Sequence, residues 1–188
     1  MITSIPVEKL QSIGLFNRFS NAEIEELLAV SDELHFSSGE TIIEAGLEQR
    51  ALYILLAGSV EIDLEVPKLG ERVLAELTPG SIFGEMSLFH ATPHAATVRC
   101  TADAQVIRLM GHQYDTLVSQ GRAAALRLGA NAAGILAARL QHTDQWIAEI
   151  LTHQRERELR ENWRKLREGM MTSFGPPKPF ISVGGTLQ

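Results

Sequence analysis

The chain has 188 residues, 45% of them hydrophobic and 21% charged, with a formal net charge of -6 at pH 7. These values are those of a soluble globular protein of one ordinary domain plus an extension. They exclude a spanning helix, because no apolar run approaches the roughly eighteen residues a bilayer requires, and they weigh against an electrostatic grip of the whole protein on nucleic acid, although a local basic patch would survive the net charge. The N-terminal MITSIPVEKL lacks the basic start and apolar core of a secretory signal. Cys100 is the only cysteine, so no intrachain disulfide can form, and it reads as a buried structural thiol. A cytoplasmic location is expected.

The chain opens with helix. "SNAE" offers Ser20 as N-cap and Glu23 three positions on, a capping box. Ile24, Leu27, Leu28 and Ser31 follow at helical spacing, with Glu25 and Glu26 facing out. Leu10, Ile13, Leu15 and Phe16 are placed to pack against that helix as a layer capping a core. From about His35 to Met110 the texture changes to short apolar or alternating runs, "TIIEA", "ALYILLA", "SVEIDLEV", "RVLAEL", "ATVRC" and "AQVIRL", punctuated by glycines. Many short strands with turn signals between them predict a barrel or sandwich. "SVEIDLEV" alternates cleanly, with Val60, Ile62, Leu64 and Val66 on one face.

Helix returns after Gly111, and Gly121 divides a short helix from a long one. From Arg122 to Glu168 there is no proline. A continuous helix of that span would run for roughly 70 Å, too far to lie on its own small barrel. Leu136, Leu140, Thr143, Ile147, Ile150 and Gln154 form a heptad seam, extended upstream by Ala133 and Gly129, both small enough for close helix approach. Beyond Gln154 the phase slips to Leu159, Trp163, Leu166 and Met170. Such a seam wants a partner helix, and a second copy of the chain is the simplest one, with Leu136, Leu140, Ile147 and Ile150 at the dimer interface. "RERELRENWRKLRE" mixes signs at i, i+4 spacing and reads as a solvated face. The predicted divisions are 1–121 for the domain with its N-terminal helices, 122–168 for a long dimerisation helix, and 169–188 for a Pro/Gly-rich tail.

The chemistry sits in "FGEMSLFHATPHAATV", from Phe83 to Val98. Gly84 lets backbone approach a ligand closely. An ionised Glu85 only accepts, so it suits a ligand hydroxyl rather than a phosphate. "EMSLF" can form a helical turn whose free N–H groups face an anion. Ala95 and Ala96 leave room and further N–H donors. One acceptor for hydroxyls and several donors for an anion together describe a sugar phosphate site.

The stretch "PGSIFGEMSLFHATPHAATV" closely resembles the phosphate-binding cassette of cyclic nucleotide-binding domains, as in protein kinase A regulatory subunits and catabolite-activator-type regulators. The likeness continues upstream through "SSGETIIEAGLEQRALYILLAGSVEI" and "LQSIGLFNRFSNAEIEELL" and takes in about four fifths of the chain, a far more specific signal than a lone glycine motif. It implies an α+β fold: N-terminal helices, an eight-stranded antiparallel β-roll of jelly-roll type, and a long C-terminal helix. It implies that Glu85 accepts from the ribose 2′-hydroxyl, that Gly84, Ser87 and Ala95 approach the ligand through backbone or hydroxyl groups, with Phe83 and Met86 in the same segment, and that Leu74 lines the base side. Thr143 and Asp144 would stand where catabolite-activator relatives carry a Thr-Ser pair that reaches the adenine amino group; Thr143 is equally a tolerated polar residue of the seam.

The departure is His94, where the family places an arginine against the cyclic phosphate. Arginine is always charged and two-pronged, whereas histidine, with an ordinary pKa of about 6.5, is mostly neutral at pH 7 unless an anion raises it. The expected ligand is cyclic AMP, held less tightly than in the family, or none at all if the cassette only serves to fold the roll. A winged helix for DNA does not fit into the roughly twenty residues after Glu168. His35, His90, His94 and His112 lack the spacing of a metal set, and no nucleophile has a paired base, so neither an enzyme nor a cofactor is expected. The expectation is a dimeric sensor acting on an unknown effector protein, without direct DNA binding or membrane attachment; the competing reading is a ligand-free dimeric interaction scaffold.

Overall fold

In a computed structural model of the chain, residues 6–66, 70–153, 163–165 and 167 are described. The N-terminal layer consists of α1 (Val7–Gln11), a 3-10 turn (Gly14–Phe16) and α2 (Asn21–Val30). The capping box is present as read: the Ser20 amide donates to Glu23 Oε2 at 2.8 Å, and the Glu23 amide donates to Ser20 Oγ at 3.3 Å. Leu10, Ile13, Leu15, Phe16, Ile24, Leu27 and Leu28 are all buried in one cluster, as their spacing predicts.

Eight strands follow: β1 (Asp32–Phe36), β2 (Thr41–Ile43), β3 (Ala51–Ala57), β4 (Val60–Val66), β5 (Gly70–Leu77), β6 (Ile82–Phe83), β7 (Thr97–Cys100) and β8 (Ala104–Met110). They form two antiparallel four-stranded sheets, in the orders β1-β8-β3-β6 and β2-β7-β4-β5. Strand β3 shows why "ALYILLA" is apolar without alternation. Ala51, Tyr53 and Leu55 fill the core between the sheets. Leu52, Ile54 and Leu56 fill the core between the first sheet and the helices. A strand covered on both faces has no polar side to show. Cys100 is buried in the inter-sheet core, and burial pushes its thiol pKa up. Strand β4 departs from the clean alternation expected of it. Val60 and Ile62 face Cys100 and Val98 of β7, but a bulge against β5 falls between Ile62 and Asp63, and Asp63 is buried.

Two helices follow the roll, α4 (Gly111–Ser119) and α5 (Ala123–His153), separated at Gly121 with φ +67°. Ala124, Ala125, Leu128 and Ala132 bury one face of α5. Asn131 Nδ2 donates to the carbonyls of Leu15 and Asn17 at 2.8 and 2.9 Å, which fastens the N-terminal layer to this helix. Gly129 is small for a different reason from the one read from the seam: a Cβ there would stand 3.0 Å from the Tyr114 hydroxyl of the same chain.

The chain divides at Ala137 into two units. Within the second, Arg167 pairs with Asp144. Helix α5 is described as far as His153, and the expected continuation to Glu168 runs through residues 154–162, which lie outside the described residues. Gln154, Leu159, Leu166, Met170 and the Pro/Gly-rich tail lie outside the described residues.

Two glycines with nearly equal φ separate conformational strain from crowding. A Cβ at Gly58 (φ +85°) would stand 2.1 Å from the Asp103 carbonyl oxygen, whereas Gly39 (φ +87°) has nothing within 4 Å. Gly39→Ala should cost about 1–2 kcal/mol, the ordinary penalty of a left-handed alanine. Gly58→Ala should cost at least about 2 kcal/mol more, because backbone has to move. Urea unfolding of the two variants checks the difference; equal losses would mean that the β3–β4 turn is not crowded.

Candidate functional site

The cassette begins where β6 ends. Gly84 is left-handed (φ 75°, ψ -2°) and caps the five-residue helix α3 (Glu85–Phe89). No other residue fits: a Cβ would lie 2.6 Å from the Ala51 carbonyl, 3.1 Å from the Tyr53 ring and 3.3 Å from Ile43. A helix of five residues does not hold itself together in water. Its burial does so, with Glu85, Ser87 and Leu88 inside and Met86 outside. Ser87 Oγ lies 2.8 Å from the Gly84 carbonyl and 3.0 Å from that of Gln49, and its proton turns inward to them. At the far end the Arg50 guanidinium donates to the Leu88 carbonyl at 3.2 and 2.9 Å and forks onto Asp115 of α4 at 2.7 and 3.0 Å. That pair lowers the Asp115 pKa and raises that of Arg50.

The cassette returns through His94. Its amide donates to the Leu47 carbonyl at 3.0 Å, and its carbonyl accepts from the Gly46 amide at 2.8 Å. The Thr97 hydroxyl oxygen accepts from the Ala45 amide at 3.2 Å. The imidazole is held inward. Burial pushes its pKa below the ordinary histidine value, opposed by a hydrogen bond to the Gln49 backbone that favours the cation, as a carbonyl acceptor does. Nε2 is buried without a hydrogen-bond partner. The Gln49 backbone thus bears on both limbs of the cassette, Ser87 and His94. A pKa held below the ordinary value leaves the ring mostly neutral at pH 7.

The other residues expected at a ligand divide. Phe83 is buried and stacks on Tyr53, with centroids 5.2 Å apart and planes 4° apart, so it belongs to the roll core. Leu74 on β5 and Met86 on α3 are largely exposed, at 58% and 67%. Ala95 is exposed beside His94. Thr143 and Asp144 lie in the second unit; Thr143 Oγ1 donates to the Arg139 carbonyl at 3.0 Å, and Asp144 meets Arg167. Gln49 and Arg50 were missed by sequence reasoning. They sit in a polar loop with no motif of its own, and only the pairing of β3 with the cassette brings them to the site.

Folding lowers the His94 pKa, so the folded protein binds this proton less readily than the unfolded chain. The resulting stability is fully present above the ordinary value near 6.5 and is lost as pH falls through the folded value. Thermal unfolding should show the midpoint falling from pH 7 to pH 5, and His94→Gln should flatten that limb. An identical slope in the variant would place the titrating group elsewhere.

Comparison with known proteins bears on the same segment. Residues 33–121 match the model of the cyclic nucleotide-binding domain. The chain is 29% identical over 171 residues to the cAMP-dependent protein kinase regulatory subunit of Mycosarcoma maydis, covering 89% of this chain and 31% of that one. The catabolite activator protein of Thermus thermophilus superposes with a TM-score of 0.66 at 27% identity, over 73% of this chain and 62% of that one. The regulatory subunit of a cAMP-independent protein kinase A from Trypanosoma brucei shares the fold, with a TM-score of 0.60 at 22% identity over 72% of this chain and 46% of that one. The chain thus spans less than two thirds of each of these relatives. Strand order, a left-handed glycine opening a buried short helix, and the family match agree: residues 33–121 have the fold of the cyclic nucleotide-binding domain whose model they match.

Proposed function

We propose that the chain is a small-molecule sensor whose cassette holds cyclic AMP and which signals as a homodimer through α5. The observation that carries this reading is the preformed turn at Gly84, which buries Glu85 at the start of α3 with the backbone amides of the turn beside it. Glu85 accepts from the ribose, and the amides of α3 and of Ala95 and Ala96 meet the phosphate. Ala95 brings no hydroxyl next to the phosphate, which favours cyclic AMP over cyclic GMP. The name of the Mycosarcoma protein, a cAMP-dependent protein kinase regulatory subunit, supports a cyclic nucleotide as ligand. A neutral His94 costs the site one charged hydrogen bond, about 1.5–3 kcal/mol, or one to two decades of affinity. The dimer rests on the α5 seam, where Leu140 is 38% exposed and Leu136, Ile147 and Ile150 are half-buried. No chemical step is proposed, and the effector is a protein.

A second reading, a dimeric scaffold with an unused pocket, is favoured by the inward-turned Ser87 proton and the neutral His94. The Trypanosoma relative, described as cAMP-independent, gives it a precedent in this fold.

Calorimetry separates the two. Cyclic AMP should bind at least tenfold more tightly than cyclic GMP, Glu85→Ala should weaken it, and His94→Arg should tighten it by a decade or more at pH 8. Failure of both the unmodified protein and His94→Arg to bind at millimolar nucleotide would leave the scaffold. Light scattering should give a dimer that Leu140→Asp with Ile147→Asp converts to monomer; a monomeric unmodified protein would end the seam reading.

A further inference from the structure

The inward face of the β1-β8-β3-β6 sheet carries a transverse row that is not apolar throughout. Asp32 on β1 lies opposite Arg108 on β8, Arg108 opposite Tyr53 on β3, and Tyr53 opposite Phe83 on β6. Residues directly opposite in antiparallel neighbours project to the same side of the sheet. Tyr53 and Phe83 belong to the core between the sheets, as do Val106 and Met110, which flank Arg108 at the two-residue period of β8. A guanidinium therefore enters the roll, with only Tyr53 between it and the Gly84 turn, where the Tyr53 ring closes on the glycine.

A cation on an inward position needs partners. Arg108 Nη2 donates to Asp32 Oδ2 at 2.9 Å; burial pushes the pKa of the facing Tyr53 hydroxyl up, and the nearby guanidinium opposes that shift. The Tyr53 proton goes to Gln49 Oε1 at 3.0 Å, which links this row to the residue whose backbone bears on both limbs of the cassette. Two features show unused capacity. Arg108 Nε is buried without a hydrogen-bond partner. The Arg108 side chain is 27% exposed and that of Asp32 42%, so their pair is half-solvated and holds the guanidinium weakly.

We infer that Arg108 is the cation of this site, facing the anionic group of the ligand from inside the roll and taking the part that His94 does not play. The inference rests on the reading of the cassette as a nucleotide site. Asp32 holds the guanidinium while the site is empty and competes with the ligand's phosphate for it.

Calorimetry of the full chain at pH 8 tests this with two probes, cyclic AMP and adenosine, which lacks the phosphate. Arg108→Met, similar in length and uncharged, should weaken cyclic AMP tenfold or more and leave adenosine unchanged. Asp32→Asn, which releases the guanidinium, should tighten cyclic AMP several-fold. If adenosine binds too weakly to read, Asp32→Asn decides. Overturning results are an Arg108→Met protein that binds cyclic AMP as the unmodified one does, equal losses for both probes, or an Asp32→Asn protein that binds no more tightly. Binding of adenosine without cyclic AMP, or of cyclic AMP only by His94→Arg, would likewise remove Arg108 from the phosphate while keeping the site. No binding by either the unmodified protein or His94→Arg would sink the cassette reading itself, and this inference with it.

Discussion

Strand β3 has to be buried on both faces, and much else in the molecule follows from that constraint. One face closes the roll against the second sheet, and the other receives the N-terminal helices and α5. The strand has no free edge either, since β8 and β6 take both sides. It is thus a reference for the first limb of the site. Gly84 presses on the Ala51 carbonyl, Ser87 hydrogen-bonds the residues leading into the strand, and the Arg50 carbonyl receives the amide of Gly111 at 2.7 Å where α4 begins. A Cβ at Gly111 would meet Arg50 Cβ at 2.7 Å, so this junction too is set by closeness to β3.

The short helix of the cassette is consequently a rigid object despite its length. Its start is fixed by a glycine set against backbone, its middle by a buried hydroxyl, and its end by a guanidinium on the Leu88 carbonyl. Preorganisation of this kind lowers the ordering cost of binding. The return limb is fixed differently, by paired main-chain bonds between residues 46–47 and His94. Its side chain is pulled two ways, by burial, which lowers the imidazole pKa, and by the Gln49 backbone, which opposes it less strongly.

What could be read from the sequence was what local chemistry dictates. The Ser20–Glu23 box, the strand runs, the break at Gly121 and the glycine before Glu85 each depend on a few neighbouring residues, and the structure has them. The misreadings are non-local. Gly129 looked like a contact point for another helix because the heptad phase reached it, yet Tyr114 of the same chain occupies that space. Asp63 looked outward by alternation until a bulge against β5 enclosed it. The inward turn of the Ser87 proton could not be read locally either, because one of the carbonyls it meets, that of Gln49, comes from 38 residues away. Arg108 left a faint trace in the sequence, a charge at the inward beat of "AQVIRLM", but its neighbours Asp32 and Tyr53 come from strands that only the topology makes adjacent.

The Arg50 guanidinium has one further consequence. It grips the Leu88 carbonyl in the last turn of α3 with two nitrogens and the Asp115 carboxylate of α4 with two, sharing one of them, so two elements distant in sequence hang on a single planar group. A flat, five-donor group cannot follow two elements that part company. Any displacement of α3 either tears one half of the fork or draws α4 along with it. Two residues beyond the end of α4 lies Gly121, a left-handed joint with no neighbour within 4 Å of its missing Cβ. The Gly121 amide donates to the Val118 carbonyl at 2.9 Å and that of Arg122 to Leu117 at 3.0 Å, so the pull of one planar group on α4 reaches the turn that leads into α5.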